Sequence, residues 1–271
     1  MKVSNYHHFM DMNFSDHELE RYSRHILLPQ VGAIGQARLR EASVLVVGAG
    51  GLGAPLLQQL AASGIGRIGI MDDDRVDLSN LQRQVLYGTD DSGAFKAEVA
   101  TKRLKALNPL VTVSPHPLRA TGTTLDALVP QYDLVCDGTD NVATRLAVSD
   151  ACVRHGRSLV SGAVQGFSGQ LAVFRPQKGG PCYRCLFPEA AQTEAPNCGM
   201  SGVLGAATGV MGSLMAVEVM REVIGLEGTD QTRVSLWDAL SGTMESFVLK
   251  RDPACQIHHD ERVPGCHSPC S

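Results

Sequence analysis

The stretch VLVVGAGGLG, residues 44–53, constrains the fold of this chain more than any other feature. Its first half is a continuous apolar run, which is typical of a strand buried on both faces. Gly48, Gly50 and Gly53 then satisfy the pattern G-x-G-x-x-G, and a segment with helical periodicity begins directly after them. A strand, a tight glycine turn and a helix start in this order predict a phosphate-binding turn, because the first N–H groups of the helix point at the ligand.

Asp72 ends the next apolar strand, 19 residues after Gly53. A carboxylate at this position is expected to bind the ribose hydroxyls of a nucleotide. A glycine-rich turn without a ligand is the alternative, but the strand, the helix and Asp72 together favour a nucleotide site. The same pattern opens many NAD-dependent dehydrogenases, so it leaves the identity of the nucleotide open.

The order of predicted elements gives the fold class. Strands and helices alternate through residue 165, which predicts an α/β fold with a doubly wound, Rossmann-like parallel sheet. The segments SLVSGAVQG and GQLAVFRP and a hairpin near the C-terminus predict antiparallel strands that continue this sheet in the second half. We expect a single domain over residues 15–258, with flexible tails at residues 1–14 and 259–271.

Composition and charge exclude several classes of function. A net charge of −4 argues against a dedicated nucleic-acid-binding protein, which should carry a basic surplus. The sequence has no apolar run long enough for a transmembrane helix, and its start lacks the apolar middle of a signal peptide. We therefore expect a cytoplasmic protein with no nucleic-acid or membrane partner. Disulfides are rare in that compartment, so the eight cysteines favour metal binding or catalysis.

A cluster of charged and polar residues follows the second predicted strand. Its members are Asp72, Asp73, Asp74, Ser79, Asn80, Arg83 and Lys96. Either cation alone would be an ordinary surface charge. Together with the glycine turn they favour a polyphosphate, because transfer at phosphorus needs positive charge to balance the transition state and a carboxylate to hold a metal ion. A dehydrogenase has no such need.

Several motifs in a fixed order resemble one known family. The segments RYSRHILL, VLVVGAGGLG, DLSNLQRQ, CDGTDN and GPCYRC are similar to those of the MoeB/ThiF (HesA/MoeB/ThiF) family of ubiquitin-activating-like adenylyltransferases. The resemblance covers residues 15 to about 258. Details such as GFSGQLAVF and GVMGSL are closer to the ThiF branch of the family.

The resemblance implies an activity, a set of partners and a nucleotide site. Members use ATP and Mg²⁺ to adenylate the C-terminal glycine carboxylate of a ubiquitin-like sulfur-carrier protein ending in Gly-Gly, with release of pyrophosphate. The residues implied around the nucleotide are Gly48, Gly50, Gly51, Gly53, Asp72, Ser79, Asn80, Arg83, Lys96, Asp140 and Asn141. Gly51 and Asp72 would hold the adenosine end, and Asp140 would hold magnesium with help from Asn141.

The resemblance also implies a homodimer in which Arg24 reaches into the site of the partner. From the sequence alone, Arg24 lies on an amphipathic helix, so a surface salt bridge is the alternative. The chain shows no rhodanese-like segment, so we expect the sulfur to come from a separate sulfurtransferase.

Cys182 and Cys185 form a C-x-x-C pair, which the family completes with a second pair to bind structural Zn²⁺. This chain departs from the pattern, because Cys255 is followed by His258 where the fourth cysteine would stand. The expected site is a zinc knuckle with three cysteines and one histidine. His259, or the tail residues Cys266 and Cys270, could replace His258, and the alternative is that zinc has been lost. The tail pair is otherwise expected to have no structural role.

Cys198 lies in a Gly- and Pro-rich stretch with no metal-binding partner at C-x-x-C spacing. In ThiF-like proteins the matching cysteine can link to the carrier through sulfur. Such a role would need a thiol with a lowered pKa, and a bystander cysteine in a connecting loop is the equal alternative.

Other functions also fit the sequence. One is an NAD-dependent oxidoreductase, another is adenylation of a peptide or small-molecule carboxylate, and a third is a catalytically silent scaffold. The sequence leaves open whether a thiamine, molybdopterin or other thiolation pathway uses the carrier.

Overall fold

The computed structural model describes residues 14–188, 202–226, 228 and 230–259. Its strands are β1 (Ser43–Val47), β2 (Arg67–Met71), β3 (Thr112–His116), β4 (Leu134–Asp137), β5 (Ser158–Gln165), β6 (Ser168–Phe174), β7 (Arg233–Asp238) and β8 (Thr243–Val248). Its α-helices are α1 (Asp16–Ile26), α2 (Gly32–Glu41), α3 (Gly53–Ser63), α4 (Lys96–Leu107), α5 (Gly122–Leu128), α6 (Val142–Arg154), α7 (Tyr183–Leu186) and α8 (Gly205–Ile224).

These strands form one sheet in the order β3-β2-β1-β4-β5-β6-β7-β8. The first five in this order are parallel, and β6, β7 and β8 continue the sheet antiparallel. The prediction of a Rossmann-like sheet with a parallel first half and an antiparallel second half is confirmed. The strand order reverses at β1, which lies between β2 and β4, and sheets of this kind bind ligands at the carboxyl ends of the strands at such a reversal.

Helices cover both faces of the parallel part, which explains why its central strands β1 and β4 are buried. One buried cluster joins the sheet to α3, α4 and α8, and a second joins it to α5 and α6. Every residue of β1 is buried, as its continuous apolar run predicted, and every residue of β4 is buried as well. The edge strand β8 is exposed along its whole length. Among the helices that the structure describes, none has the length and apolar content needed to cross a membrane.

Helix α8 packs closely against the start of α3, and Gly212 makes this close packing possible because it has no side chain. A Cβ atom on Gly212 would lie 2.4 Å from the carbonyl oxygen of Leu52 and 2.5 Å from Cγ of Pro55. This approach also brings Thr208, one turn earlier on α8, over the glycine turn, where a Cβ on Gly51 would meet Thr208 Cγ2 at 3.2 Å. The last long helix therefore forms part of the surroundings of the predicted site.

We predict that Gly212→Ala lowers the free energy of unfolding by about 1–3 kcal/mol, because a backbone carbonyl and a proline ring cannot yield to the added methyl group. Gly209→Ala on the same helix is the matched control, since its Cβ would meet nothing within 4 Å. It should be neutral or stabilising by about 0.5–1 kcal/mol, because alanine favours helix over glycine. Urea denaturation followed by circular dichroism measures both. Equal effects of the two substitutions would show that the α3–α8 contact tolerates a side chain.

Candidate functional site

A cavity of about 620 Å³ lies at the carboxyl ends of β1, β2 and β4, where the strand order reverses. We refer to it as the first cavity. The predicted nucleotide residues that line it are Gly48, Gly50, Gly51, Asp72, Arg83, Lys96, Asp140 and Asn141. The structure therefore brings most of the predicted set together around one space. Gly53 begins α3 behind the turn, where a Cβ would lie 1.9 Å from the carbonyl oxygen of Gly48, so only glycine fits there.

Two side chains hold the glycine turn through hydrogen bonds to its backbone. The Asp72 carboxylate accepts from the backbone N–H of Ala49 at 2.7 Å and from that of Asp74 at 2.9 Å. The hydroxyl of Tyr87, a buried residue that the sequence analysis missed, donates to the carbonyl oxygen of Ala49 at 2.7 Å. Burial raises the pKa of the Asp72 carboxyl, and the positive charge of Lys96 opposes that shift. Asp72 thus fixes the turn as well as bordering the cavity.

Lys96 is the first residue of α4, and it is only 4% exposed. Its Nζ lies 2.7 Å from a carboxylate oxygen of Asp74, whose own side chain is mostly exposed. A buried ammonium is costly unless it is paired, and Asp74 supplies the pairing charge. The ion pair holds a cation at the wall of the first cavity, at the position that the sequence predicted.

Arg83 follows a 3-10 turn over Leu78–Asn80, and its Nη1 donates to the carbonyl oxygen of Ser79 at 3.2 Å. Asp77 caps this turn, accepting from the N–H of Ser79 at 2.8 Å and from its hydroxyl at 2.5 Å. The hydrogen bonds from Ser79 hold the pKa of the Asp77 carboxyl below its usual range. Arg83 lines the first cavity, whereas Ser79 and Asn80 are absent from its lining.

The segment CDGTDN after β4 contains two carboxylates in different environments. Asp137 is fully buried, and it accepts from the N–H of Thr139 at 3.0 Å, from its hydroxyl at 2.7 Å and from the hydroxyl of Ser161 at 3.1 Å. Asp140 is exposed and borders the first cavity. Asn141 caps α6, since its Oδ1 accepts from the N–H of Thr144 at 2.8 Å. Asp137 therefore shapes the loop, and Asp140 is the carboxylate presented to a ligand.

A second cavity of about 950 Å³ adjoins the first. The two share Asp140, Arg145, Val164 and Gln165 in their linings. The second cavity runs over one face of the antiparallel strands, where Gln170, Leu236 and Glu245 line it, and along α7. The combined space therefore extends from the glycine turn to the exposed end of the sheet.

Two buried residues at these cavities, Gln84 and Arg145, were missed by the sequence analysis. Gln84 lines the first cavity and is 4% exposed, and its Oε1 has no hydrogen-bond partner in the described part of the chain. A buried amide oxygen without a partner is costly, so this position fits a site completed by a ligand. The signal in the sequence was that Gln84 is the last residue of the motif DLSNLQRQ, directly after Arg83.

Arg24 is exposed on α1 and does not line the first cavity of its own chain. Its predicted role in the site of a second subunit stays a prediction. Cys198 lies outside the described residues, as do Cys266 and Cys270.

The four predicted metal ligands, Cys182, Cys185, Cys255 and His258, lie together and are buried, with their donor atoms all within 4.8 Å of one another. The Sγ atom of Cys182 lies 3.9 Å from that of Cys185 and 3.7 Å from that of Cys255, and Sγ of Cys185 lies 3.5 Å from Nε2 of His258. Tetrahedral Zn²⁺ with ordinary bond lengths needs sulfur–sulfur distances of about 3.8 Å and sulfur–nitrogen distances of about 3.6 Å. The cluster therefore fits the size and the ligand preference of zinc, and the predicted grouping is confirmed.

Comparison with known proteins identifies the family. The ThiF family pattern matches residues 22–257. The "Sulfur carrier protein adenylyltransferase" of Thermus thermophilus is 48% identical, over 92% of this chain and 94% of its own length. The "Adenylyltransferase and sulfurtransferase MOCS3" of Bos taurus is also 48% identical, over 88% of this chain, but this chain spans only 52% of that longer protein.

A solved structure shares the fold. E. coli MccB, determined with AMPCPP and MccA, superposes with a TM-score of 0.77 at 25% identity, over 94% of this chain and 80% of MccB.

Proposed function

The chain belongs to the ThiF family and is an adenylyltransferase, and on that premise we propose that it uses Mg-ATP to adenylate the C-terminal glycine carboxylate of a ubiquitin-like sulfur-carrier protein. The observation that carries the proposal is that a cavity at the glycine turn, lined by Arg83 and Lys96, shares part of its lining with a second cavity over an exposed sheet face. A nucleotide fits the first cavity and an extended chain end fits the second. The assignment as an adenylyltransferase replaces the alternative of an NAD-dependent oxidoreductase.

The first cavity supplies the contacts that a triphosphate requires. The N–H groups at the start of α3 face the phosphates, and Gly51 and Asp72 hold the adenosine end. Arg83 and Lys96 bind the phosphates, and Ser79 and Asn80 stay proposed phosphate ligands on the turn that precedes Arg83. That MccB was solved with AMPCPP supports a nucleotide in a fold of this kind.

The reaction is a displacement at the α-phosphorus. A carboxylate oxygen of the terminal glycine forms a bond to phosphorus, the bond to the bridging oxygen breaks, and pyrophosphate leaves with the electron pair. The carboxylate is already ionised at pH 7, so no general base is needed. Arg83 and Lys96 offset the charge that develops on the leaving group, and catalysis is mainly positioning and electrostatics.

Magnesium fits the residues at the mouth of the first cavity. Carboxylate oxygens are its preferred protein ligands, and Asp140 is exposed to the cavity without a hydrogen bond or an ion pair to any described residue. Asp140 would hold the ion, with Asn141 beside it, and the ion would neutralise phosphate charge.

The second cavity provides the path for the carrier tail. Residues 189–201, which include Cys198, connect Pro188 at the second cavity with Gly202 at the first. Cys198 stays a proposed site of a sulfur link to the carrier. We further propose that a separate sulfurtransferase supplies the sulfur, that residues 15–258 form one adenylation domain and that the protein is cytoplasmic.

Carrier-dependent ATP–pyrophosphate exchange tests the proposed function. We expect exchange that requires a ubiquitin-fold protein ending in Gly-Gly, and Arg83→Ala and Lys96→Ala should each reduce it about 10²- to 10³-fold, as loss of one preorganised charge contact does. Arg103→Ala on the same helix as Lys96 is the control, since Arg103 pairs with Asp91 away from the cavity and its loss should change the rate less than about twofold. Exchange driven only by free amino acids or short peptides would instead indicate a small carboxylate acceptor.

We propose a homodimer in which Arg24 completes the partner's site. Beside Arg24, the large apolar side chains of Leu27, Leu28 and Ile34 are exposed, with Leu27 at 70%. Such a cluster of exposed apolar residues marks an interaction surface. This exposed apolar cluster supports the proposal that the face is buried against a second copy of the chain.

Mixing two inactive variants tests this arrangement. Arg24→Ala and Arg83→Ala should each be inactive alone. If Arg24 acts in the partner's site, re-associated mixtures should recover about a quarter of the wild-type exchange rate, because half of the dimers carry one intact site of two. Recovery should be absent if Arg24 serves its own subunit. Sedimentation of each variant checks that dimers form.

Zinc is the proposed metal of the four-residue cluster. It would pin the segment after β8 to α7, and its four protein ligands leave no open position for catalysis.

Elemental analysis of the purified chain tests the zinc site. We expect about one zinc per chain, and His258→Ala should reduce the content below about 0.2, because three ligands hold the ion poorly. His258→Cys is the matched control and should retain zinc, since it restores a set of four thiolates. Full zinc in His258→Ala would show that another residue supplies the fourth ligand.

A further inference from the structure

Arg145 lies one turn into α6, at the boundary that the two cavities share. It is only 6% exposed. Its Nη2 donates to the carbonyl oxygen of Thr139, in the loop that presents Asp140. The side chain therefore stands between the proposed nucleotide and the proposed path of the carrier tail.

The charge of Arg145 is not balanced by any described residue. Within residues 14–188 and 202–259, apart from 227 and 229, no carboxylate forms an ion pair with it, and Thr139 supplies its one hydrogen-bond acceptor. Arg175, which is comparably buried, pairs with Glu222, and Arg184 forms a two-pronged ion pair with Asp150. A buried charge costs several kcal/mol unless it is paired, so the position of Arg145 fits an anion from outside this set of residues.

The position of the Arg145 guanidinium indicates which kind of anion it would bind. Arg83 and Lys96 already flank the first cavity, where the phosphates are proposed to lie. A planar guanidinium matches a carboxylate with two parallel hydrogen bonds. The acceptor must pass the boundary between the two cavities, and Arg145 is the cation that both linings share.

We infer that Arg145 binds the C-terminal carboxylate of the incoming carrier and orients its oxygen toward the α-phosphorus. This inference rests on the proposed function and adds the residue that recognises the acceptor. A carrier whose terminus is an amide would lose the ionic part of this contact.

Binding of two forms of one carrier tests the inference. The probe is the sulfur carrier of Thermus thermophilus, prepared with a free terminal carboxylate and with a terminal amide, and titrated calorimetrically into the full chain saturated with AMPCPP and Mg²⁺. The wild type should prefer the carboxylate form about 10- to 100-fold, the range for a charged hydrogen-bonded pair. Arg145→Gln should reduce this preference below about threefold, and Arg145→Lys should restore part of it.

The controls separate this role from a structural one. Arg154→Gln removes the same charge from the same helix, where Arg154 pairs with Asp126, and should keep the wild-type preference. Arg145→Gln should bind AMPCPP without carrier within about threefold of wild type, because the inferred contact is to the acceptor.

Each outcome decides the inference separately from the proposed function. A carboxylate preference that survives Arg145→Gln, or a loss of AMPCPP affinity as large as the loss of carrier affinity, overturns the inference even if exchange proceeds. Equal wild-type affinity for the two carrier forms also overturns it. A preference that depends on Arg145, without pyrophosphate exchange, upholds carboxylate binding and rejects the adenylation chemistry.

Discussion

The anchored glycine turn between β1 and α3 is the constraint on which the rest of the site depends. Asp72 holds the N–H of Ala49 from the end of β2, and Tyr87 holds the carbonyl oxygen of the same residue from the opposite side. The turn is also tight, because Gly53 lies so close to the carbonyl oxygen of Gly48 that no Cβ atom fits between them. With the turn fixed, the N–H groups of α3 point into a space of defined size, and the packing of α8 against α3 closes one side of it.

Charge is divided along the combined space. Arg83 and Lys96 line the first cavity together with the carboxylates of Asp72 to Asp74, the exposed carboxylate of Asp140 lies at the mouth, and Arg145 stands at the boundary with the second cavity. Each position is set by a different element, namely α4, the β4–α6 loop and α6. In the proposed reaction two anions meet, so positive charge would have to face the phosphates and the incoming carboxylate at once.

Much of this arrangement could be predicted from the sequence, because it rests on local patterns. A continuous apolar run marked the buried strand β1, and the resemblance to the family pointed to Cys182, Cys185, Cys255 and His258 as one cluster, which forms across the fold. The family motifs also indicated which residues would bind a nucleotide, and most of these line the first cavity.

The remaining features depend on tertiary packing. In the sequence Arg145 resembles any surface arginine on a helix, and only its burial between two cavities distinguishes it. The contrast between Asp137 and Asp140 is equally hidden, since both occur in one short acidic segment. Ser79 and Asn80 were grouped with Arg83 by motif, yet the cap at Asp77 turns the Ser79 hydroxyl toward that carboxylate. In each of these cases tertiary packing determines the environment of the side chain.

The cluster of Cys182, Cys185, Cys255 and His258 has a topological consequence. Cys182 and Cys255 meet although they stand 73 residues apart, and α8, β7 and β8 all lie between them in the chain. Cys185 belongs to α7 and Cys255 follows β8, and both of these elements contribute to the lining of the second cavity. The zinc ion proposed for this cluster would fix both elements to one point, so the carrier proposed to dock here would meet a face held on two sides.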